Sequence, residues 1–110
     1  MSNEDSEKIF KQLSRILKEN KVLGSPTRTT IMILLYFRTR MKFTEIQKLL
    51  DLTPGNLSSH LQKLKEAGYI EIVKGFANLR PATIIRITPE GIEAIRNYMR
   101  IIKRILEFKP

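Results

Sequence analysis

Apolar residues recur at helical spacing along most of the chain and switch to consecutive and alternating runs over one short stretch near its middle. From the N-terminus, Ile9, Phe10, Leu13, Ile16 and Leu17 make one helical stripe, flanked by Lys8, Lys11, Arg15 and Lys18. This predicts a first helix to about Asn20, capped by Ser2 or Ser6 and broken at Gly24. Ser25-Pro26 opens a second helix. The serine hydroxyl can take an orphan N–H, and proline at the first helical position gives up no needed donor. Ile31, Ile33, Leu34, Leu35 and Phe37 make this helix, which runs to about Arg38, the most apolar element and the central core helix. A third helix starts at Phe43, with Thr44 and Gln47 at capping-box spacing and Ile46, Leu49 and Leu50 as its buried side. After the turn Asp51-Leu52-Thr53, a fourth helix opens at Thr53-Pro54 and closes at Gly68, where a C′ glycine belongs. Leu57, Leu61 and Leu64 form its one apolar face.

The period then changes. Tyr69 to Lys74 and Thr83 to Ile87 are rich in β-branched and aromatic residues, which predicts an antiparallel hairpin. Its connection, Gly75 to Pro81, is expected to be a loop of about seven residues. Thr88-Pro89-Glu90 repeats the cap, proline and acid of a helix start, and a last helix follows to about Phe108. The order is α-α-α-α-β-β-α: mainly α with a small β-hairpin, the arrangement of a winged helix-turn-helix. All of residues 1–110 read as one domain.

In a helix-turn-helix the first helix braces the second, which lies in the DNA major groove. Here the fourth helix, residues 54–67, would bury its leucines and turn Asn56, Ser58, Ser59, Gln62 and Lys63 outward. Asn and Gln can pair bidentately with adenine, and serine can serve on either groove wall. Only Glu66 puts an acid on this side, near the far end. The helix start, Thr53-Pro54-Gly55, offers backbone N–H groups at Gly55 and Asn56 suited to a phosphate. The hairpin connection, residues 75–81, is the candidate wing on the minor groove or the backbone. Lys74, Arg80 and Arg86 are its cations. Phe76 and Leu79 are expected to anchor the loop against the domain.

Charge agrees with this reading. Twenty Lys and Arg against eleven Asp and Glu give a net charge of +9, which favours polyanionic partners. The absence of cysteine excludes disulfides, thiolate metal sites and cysteine nucleophiles. The polar N-terminus and the lack of any apolar run of ~18 residues predict a soluble, cytoplasmic protein without membrane partners. His60, the single histidine, has no recognisable base, nucleophile or orienting partner, so catalysis is not expected; local hydrogen bonding is. No motif calls for a cofactor or a metal, and none supports a small-molecule effector, which the fold would nevertheless permit.

The stretch from Leu52 through Asn56, Ser58, Ser59, Gln62, Lys63 and Gly68 to Ile70 resembles the recognition-helix region of small winged helix regulators of the MarR/ArsR kind. The continuation from Lys74-Gly75-Phe76 through Arg80-Pro81 to Thr88-Pro89-Glu90-Gly91 resembles the wing and exit helix of single-domain members. The resemblance covers roughly residues 26–100. It implies a winged helix fold, double-stranded DNA as partner, transcription regulation and a homodimer. It also matches Asn56, Ser58, Ser59, Gln62 and Lys63 to recognition-helix positions and Arg80 to the wing. Two departures stand out. The cysteine or histidine clusters of the metal-sensing branch are missing, and Ser59 stands where arginine is frequent, which shifts affinity toward phosphate contacts.

The last helix carries Ile92, Ile95, Met99, Ile102 and Leu106 at three-four spacing, a coiled-coil seam. A second stripe, Ala94, Tyr98, Ile101, Ile105 and Phe108, runs beside it. A chain of this length buries about 60–70% of its unfolded surface, which leaves one stripe without cover. Residues 1–24 and 89–110 are therefore the expected dimerisation elements, with Ile9, Leu13, Ile16, Ile95, Tyr98, Met99, Ile102, Ile105 and Leu106 at the interface. Two rival readings remain: a weakly specific architectural DNA-binding protein, and a winged helix that binds other proteins.

Overall fold

The computed structural model describes residues 3–107, apart from the side chains of residues 16, 17, 19 and 105. Five helices and three strands follow in the order α1 (Asn3–Glu19), α2 (Pro26–Arg38), β1 (Arg40–Lys42), α3 (Phe43–Leu50), α4 (Pro54–Glu66), β2 (Ile70–Ala77), β3 (Arg80–Ile87) and α5 (Pro89–Glu107). The winged helix architecture is as expected, with one addition. A three-residue strand, β1, pairs antiparallel with β3 and makes the sheet β1-β3-β2. Its three residues, Arg40-Met41-Lys42, hold one apolar side chain, too short a pattern to show period two. Thr39 creates it. At φ 63° and ψ −38° this β-branched residue leaves α2 through a strained positive-φ turn, its N–H donating to the Leu35 carbonyl and its own carbonyl accepting from Ile87.

The helix ends follow the punctuation in the sequence. Ser25 Oγ accepts from the Arg28 N–H and Thr53 Oγ1 from the Asn56 N–H, each ahead of a proline at the first helical position. Gly68, at φ 80°, ends α4 in a Schellman arrangement: its N–H donates to Lys65 and that of Tyr69 to Leu64. The cap of α3 differs, and two other expected helix ends fall outside the described residues. Asn3 already lies in α1, so Ser6 is inside that helix, and Ser2 is outside the described residues. The cap of α3 is Lys42, whose N–H donates to Glu45 Oε1; Thr44 and Gln47 sit two residues too late to form the box. Phe108 is outside the described residues.

The core joins Ile31, Met32 and Leu35 of α2, Met41 of β1, Ile46 of α3, the three α4 leucines, the sheet residues Ile70, Ile85 and Ile87, and Ile95 of α5. Phe37 is 79% exposed, against expectation. It follows Leu35 by two residues, about 200° around the helix, while Met32 takes the place facing inward. Leu49 is also exposed, and only Leu50 of that last α3 turn reaches the core.

Thr88 ties three elements together. Its hydroxyl donates to the Gly68 carbonyl and accepts from the Gly91 N–H, while its own N–H donates to Tyr69. The exit of α4 and the start of α5 are thereby fixed to each other. The Cα radius of gyration, 16.3 Å, exceeds the roughly 13 Å of a compact chain this long. The long terminal helices account for this: α1 packs on α5, and its buried Ile9 lies apart from the main core.

Candidate nucleic-acid interface

Helix α4 packs on α2 and β2 through Leu57, Leu61 and Leu64, each at most 1% exposed. That fixes its rotation. At 100° per residue, Gly55, Ser59, Gln62 and Glu66 point directly away from the leucines. Ser58 and Lys65 lie on one flank, Asn56 and Lys63 on the other. Thr53, Pro54, Gly55, Asn56, Ser58, Ser59, Gln62 and Lys63 are all exposed; Gly55 to Lys63 among them share this side, while Thr53 and Pro54 are exposed at the helix's N-terminal end. The structure thus brings together every α4 residue singled out from the sequence.

Two local bonds change what this face offers. The Asn56 N–H is taken by the Thr53 cap, so it is not free for a phosphate. Gln62 Nε2 donates to Glu66 Oε1 at 3.2 Å, one turn on. The amide is held in one orientation, with its carbonyl oxygen and second N–H left for a partner.

His60 sits at the edge of the buried side, and its hydrogen-bond partner is not local, as expected from the sequence, but a residue of α2 32 positions away. Its Nδ1 lies 3.1 Å from Arg28 Nη1. Guanidinium only donates, so Nδ1 accepts and the ring proton is on Nε2. Burial, then the charges of Arg28 and Lys63, hold the imidazole below its ordinary value of 6.5. Arg28 also donates from Nε to the Val22 carbonyl and from Nη2 to that of Lys21. One side chain therefore braces α4 against the α1–α2 connection. Sequence reasoning noted Arg28 only as a basic helix end, because its partners lie six, seven and 32 residues away.

The wing is tighter than expected. Strands β2 and β3 stay paired up to Ala77 and Arg80, so Asn78 and Leu79 alone make the turn, with φ 52° and 64°. Two positive φ values in a two-residue connection are the signature of a type I′ turn, which matches strand twist. Phe76 and Leu79 are 74% and 97% exposed, so neither anchors the wing to the domain. The pairing register also sorts the cations. Lys74 shares the face of Ile70 and Ile72, whereas Arg80 and Arg86 lie on the opposite face. Arg86 stands about 20 Å from Arg80, at six strand residues of 3.3 Å, next to Arg40 across the β1 pairing. It is bonded to Glu71 at 2.6 Å, so it does not join the exposed face of α4 and the wing tip.

The proposed subunit contacts divide similarly. Ile9 and Ile95 are buried within the chain; Leu13, Tyr98 and Ile102 are half-buried; Met99 and Leu106 are 38% and 78% exposed. The side chains of Ile16 and Ile105 lie outside the described residues. Among the described residues no group of His, Asp or Glu is placed to hold a metal ion, and no helix is long and apolar enough to cross a membrane.

A short bracing helix, a helix with an exposed amide, hydroxyl and cation face, and a paired wing define a winged helix DNA-binding module. The winged helix DNA-binding domain family model matches residues 27–106, and the chain belongs to that family. A transcriptional regulator homologue from Pyrococcus horikoshii is 36% identical and superposes with a TM-score of 0.80, over 91% of this chain and 95% of that one. An uncharacterized Methanocaldococcus jannaschii protein is 40% identical over 79 residues, 72% of this chain and 86% of the relative. The transcriptional regulator BldR from Sulfolobus solfataricus shares the fold at 15% identity, with a TM-score of 0.65 over 96% of this chain and 82% of its own. The winged helix fold is thus shared with proteins described as transcriptional regulators, and the family is one of DNA-binding domains.

Proposed function

We propose that this protein is a sequence-specific regulator of transcription that binds double-stranded DNA in the cytoplasm as a homodimer. Helix α4 enters the major groove with Asn56, Ser58, Ser59, Gln62 and Lys63, Thr53 to Gly55 lie along the backbone, and the wing bearing Lys74 and Arg80 reaches the adjacent minor groove or phosphates. The observation that carries this reading is the single exposed face of α4, made of amides, hydroxyls and a cation over three buried leucines. Arg86, ion-paired with Glu71 at the foot of the hairpin, is neutralised there and contributes least of these cations.

The dimer rests on α5. Met99 and Leu106 remain exposed on its seam, and Tyr36 and Phe37 continue the apolar surface along an open groove of about 670 Å³ between α2 and α5. A second subunit related by a two-fold axis would cover this surface. It would also set the two α4 helices about one DNA turn, ~34 Å, apart. Residues 1–24 and 89–110 then serve as dimerisation elements of a single-domain chain.

Selection from random-sequence duplexes at ~150 mM salt tests the reading. A recovered palindromic motif supports it. Binding without enrichment favours a weakly specific architectural protein, for which the small side chains of Ser58 and Ser59 would suit. No binding favours a protein-interaction module.

A further inference from the structure

The wing tip holds an apolar residue where the backbone asks for a different one. In a type I′ turn both central residues take positive φ, and Asn-Gly is the favoured pair. Here Asn78 fits the first position, but the second is Leu79, at φ 64°. Leucine is disfavoured in left-handed backbone because its Cβ crowds the following carbonyl. Nothing in the domain rewards that strain: Leu79 is 97% exposed, the most exposed large apolar side chain among the described residues. Phe76, 74% exposed, lies three residues away on one face of the hairpin. Arg80 adjoins Leu79 on the other. A two-strand arm, paired to its tip, thus ends in an apolar point with a cation beside it.

We propose that Leu79 is a wedge that enters a base-pair step from the minor groove, with Arg80 on the flanking phosphates or groove floor and Phe76 packed on the sugar edge behind it. Apolar side chains on minor-groove-binding arms unstack a step in this way and bend the duplex away, toward the major groove. Flexible pyrimidine–purine steps yield at least cost, so the wedge adds sequence preference at positions α4 does not touch. The inference rests on the DNA-binding reading above and commits the wing to the minor groove.

The decisive variant is Leu79→Gly, because it creates the Asn-Gly turn and removes the wedge without weakening the hairpin. Leu79→Met keeps an apolar point. The probe is a duplex of about 30 base pairs carrying the selected site; if selection recovers none, it is the random pool at ~50 mM salt, where electrostatic attachment needs no site. Binding is read by anisotropy and bending by energy transfer between end labels. The wild type and Leu79→Met should bend the duplex by roughly 20–90°. Leu79→Gly should bind within about tenfold of the wild type and leave it straight. A duplex that stays straight on wild-type binding overturns the wedge alone, and so does equal bending by Leu79→Gly. Failure of the wild type to bind either probe overturns the DNA reading with it. A shift in the free protein's sedimentation caused by Leu79→Gly, with bending intact, would make the residue a subunit contact and also overturn the wedge.

Discussion

Replacing Gly91 by alanine would put a methyl group 2.1 Å from the Tyr69 carbonyl oxygen and 3.0 Å from Ile87 Cγ1. Real contacts of this kind stay beyond 3.0 Å, so the start of α5 and the residue after Gly68 would have to part by about 1 Å. Both are backbone, and both are held by Thr88, so neither can turn aside as a side chain would. Overpacking of this sort costs about 1–3 kcal/mol. Weakening two of the Thr88 hydrogen bonds adds about 0.5–1.5 kcal/mol each. Alanine's better helix propensity returns about 1 kcal/mol. The net loss is about 3 kcal/mol, a large share of the roughly 5–15 kcal/mol that holds a domain folded. At about 4 °C per kcal/mol for a chain of this size, the Tm should fall by roughly 12 °C. Calorimetry or urea unfolding reads this directly, with Gly55→Ala as control. Gly55 has nothing within 4 Å of an added Cβ and sits in a helix, so that change should be neutral or slightly stabilising. A Gly91→Ala protein as stable as the wild type would refute the proposed locking of α5 to the exit of α4.

Other outcomes follow from the same geometry. Because the folded imidazole of His60 is held below 6.5, the unfolded chain takes up the proton first. Stability should therefore decline as pH drops below about 6.5 and level off beneath the folded value; in urea titrations His60→Gln should lack that component, and identical pH slopes would count against the Arg28 bond. Gln62→Ala should relax base preference at one or two positions, by about 1–3 kcal/mol, whereas Arg80→Ala should weaken all duplexes alike and flatten the salt slope by about one. Equal effects of the two changes on every sequence would remove the division between reading and holding. Met99→Glu, placing a charge on the exposed seam of α5, should convert the dimer to monomer by sedimentation equilibrium; an unchanged mass would dismiss this surface as the interface.

The elements that position α4 were legible because each rests on neighbours in sequence. Leu57, Leu61 and Leu64 fix a helical face by spacing alone, and Thr53-Pro54 and Gly68 mark its ends by local hydrogen bonding and backbone conformation. What was not legible depends on distant partners. Strand β1 exists because Thr39 and Ile87 meet across 48 residues. The length of the wing turn decides which face each cation takes, and a leucine in left-handed conformation carries no turn signal of its own. Asn78 at the centre of the connection was the one available hint. Phe37 looked like core because Ile31 to Phe37 is an unbroken apolar run, so periodicity there could not say which side faces inward. Gln62 and Glu66 stand four apart on the exposed side, a pairing the sequence does carry and a count of donors on the recognition face overlooks.

Chemical interference mapping tests most directly whether α4 reads the major groove. Purine N7 atoms project into that groove and adenine N3 into the minor groove. On the selected duplex, modification of N7 should abolish binding in two clusters about one helical turn apart, with adenine N3 methylation interfering alongside, where the wing lies. Interference confined to N3, with N7 modification tolerated throughout, would contradict the account.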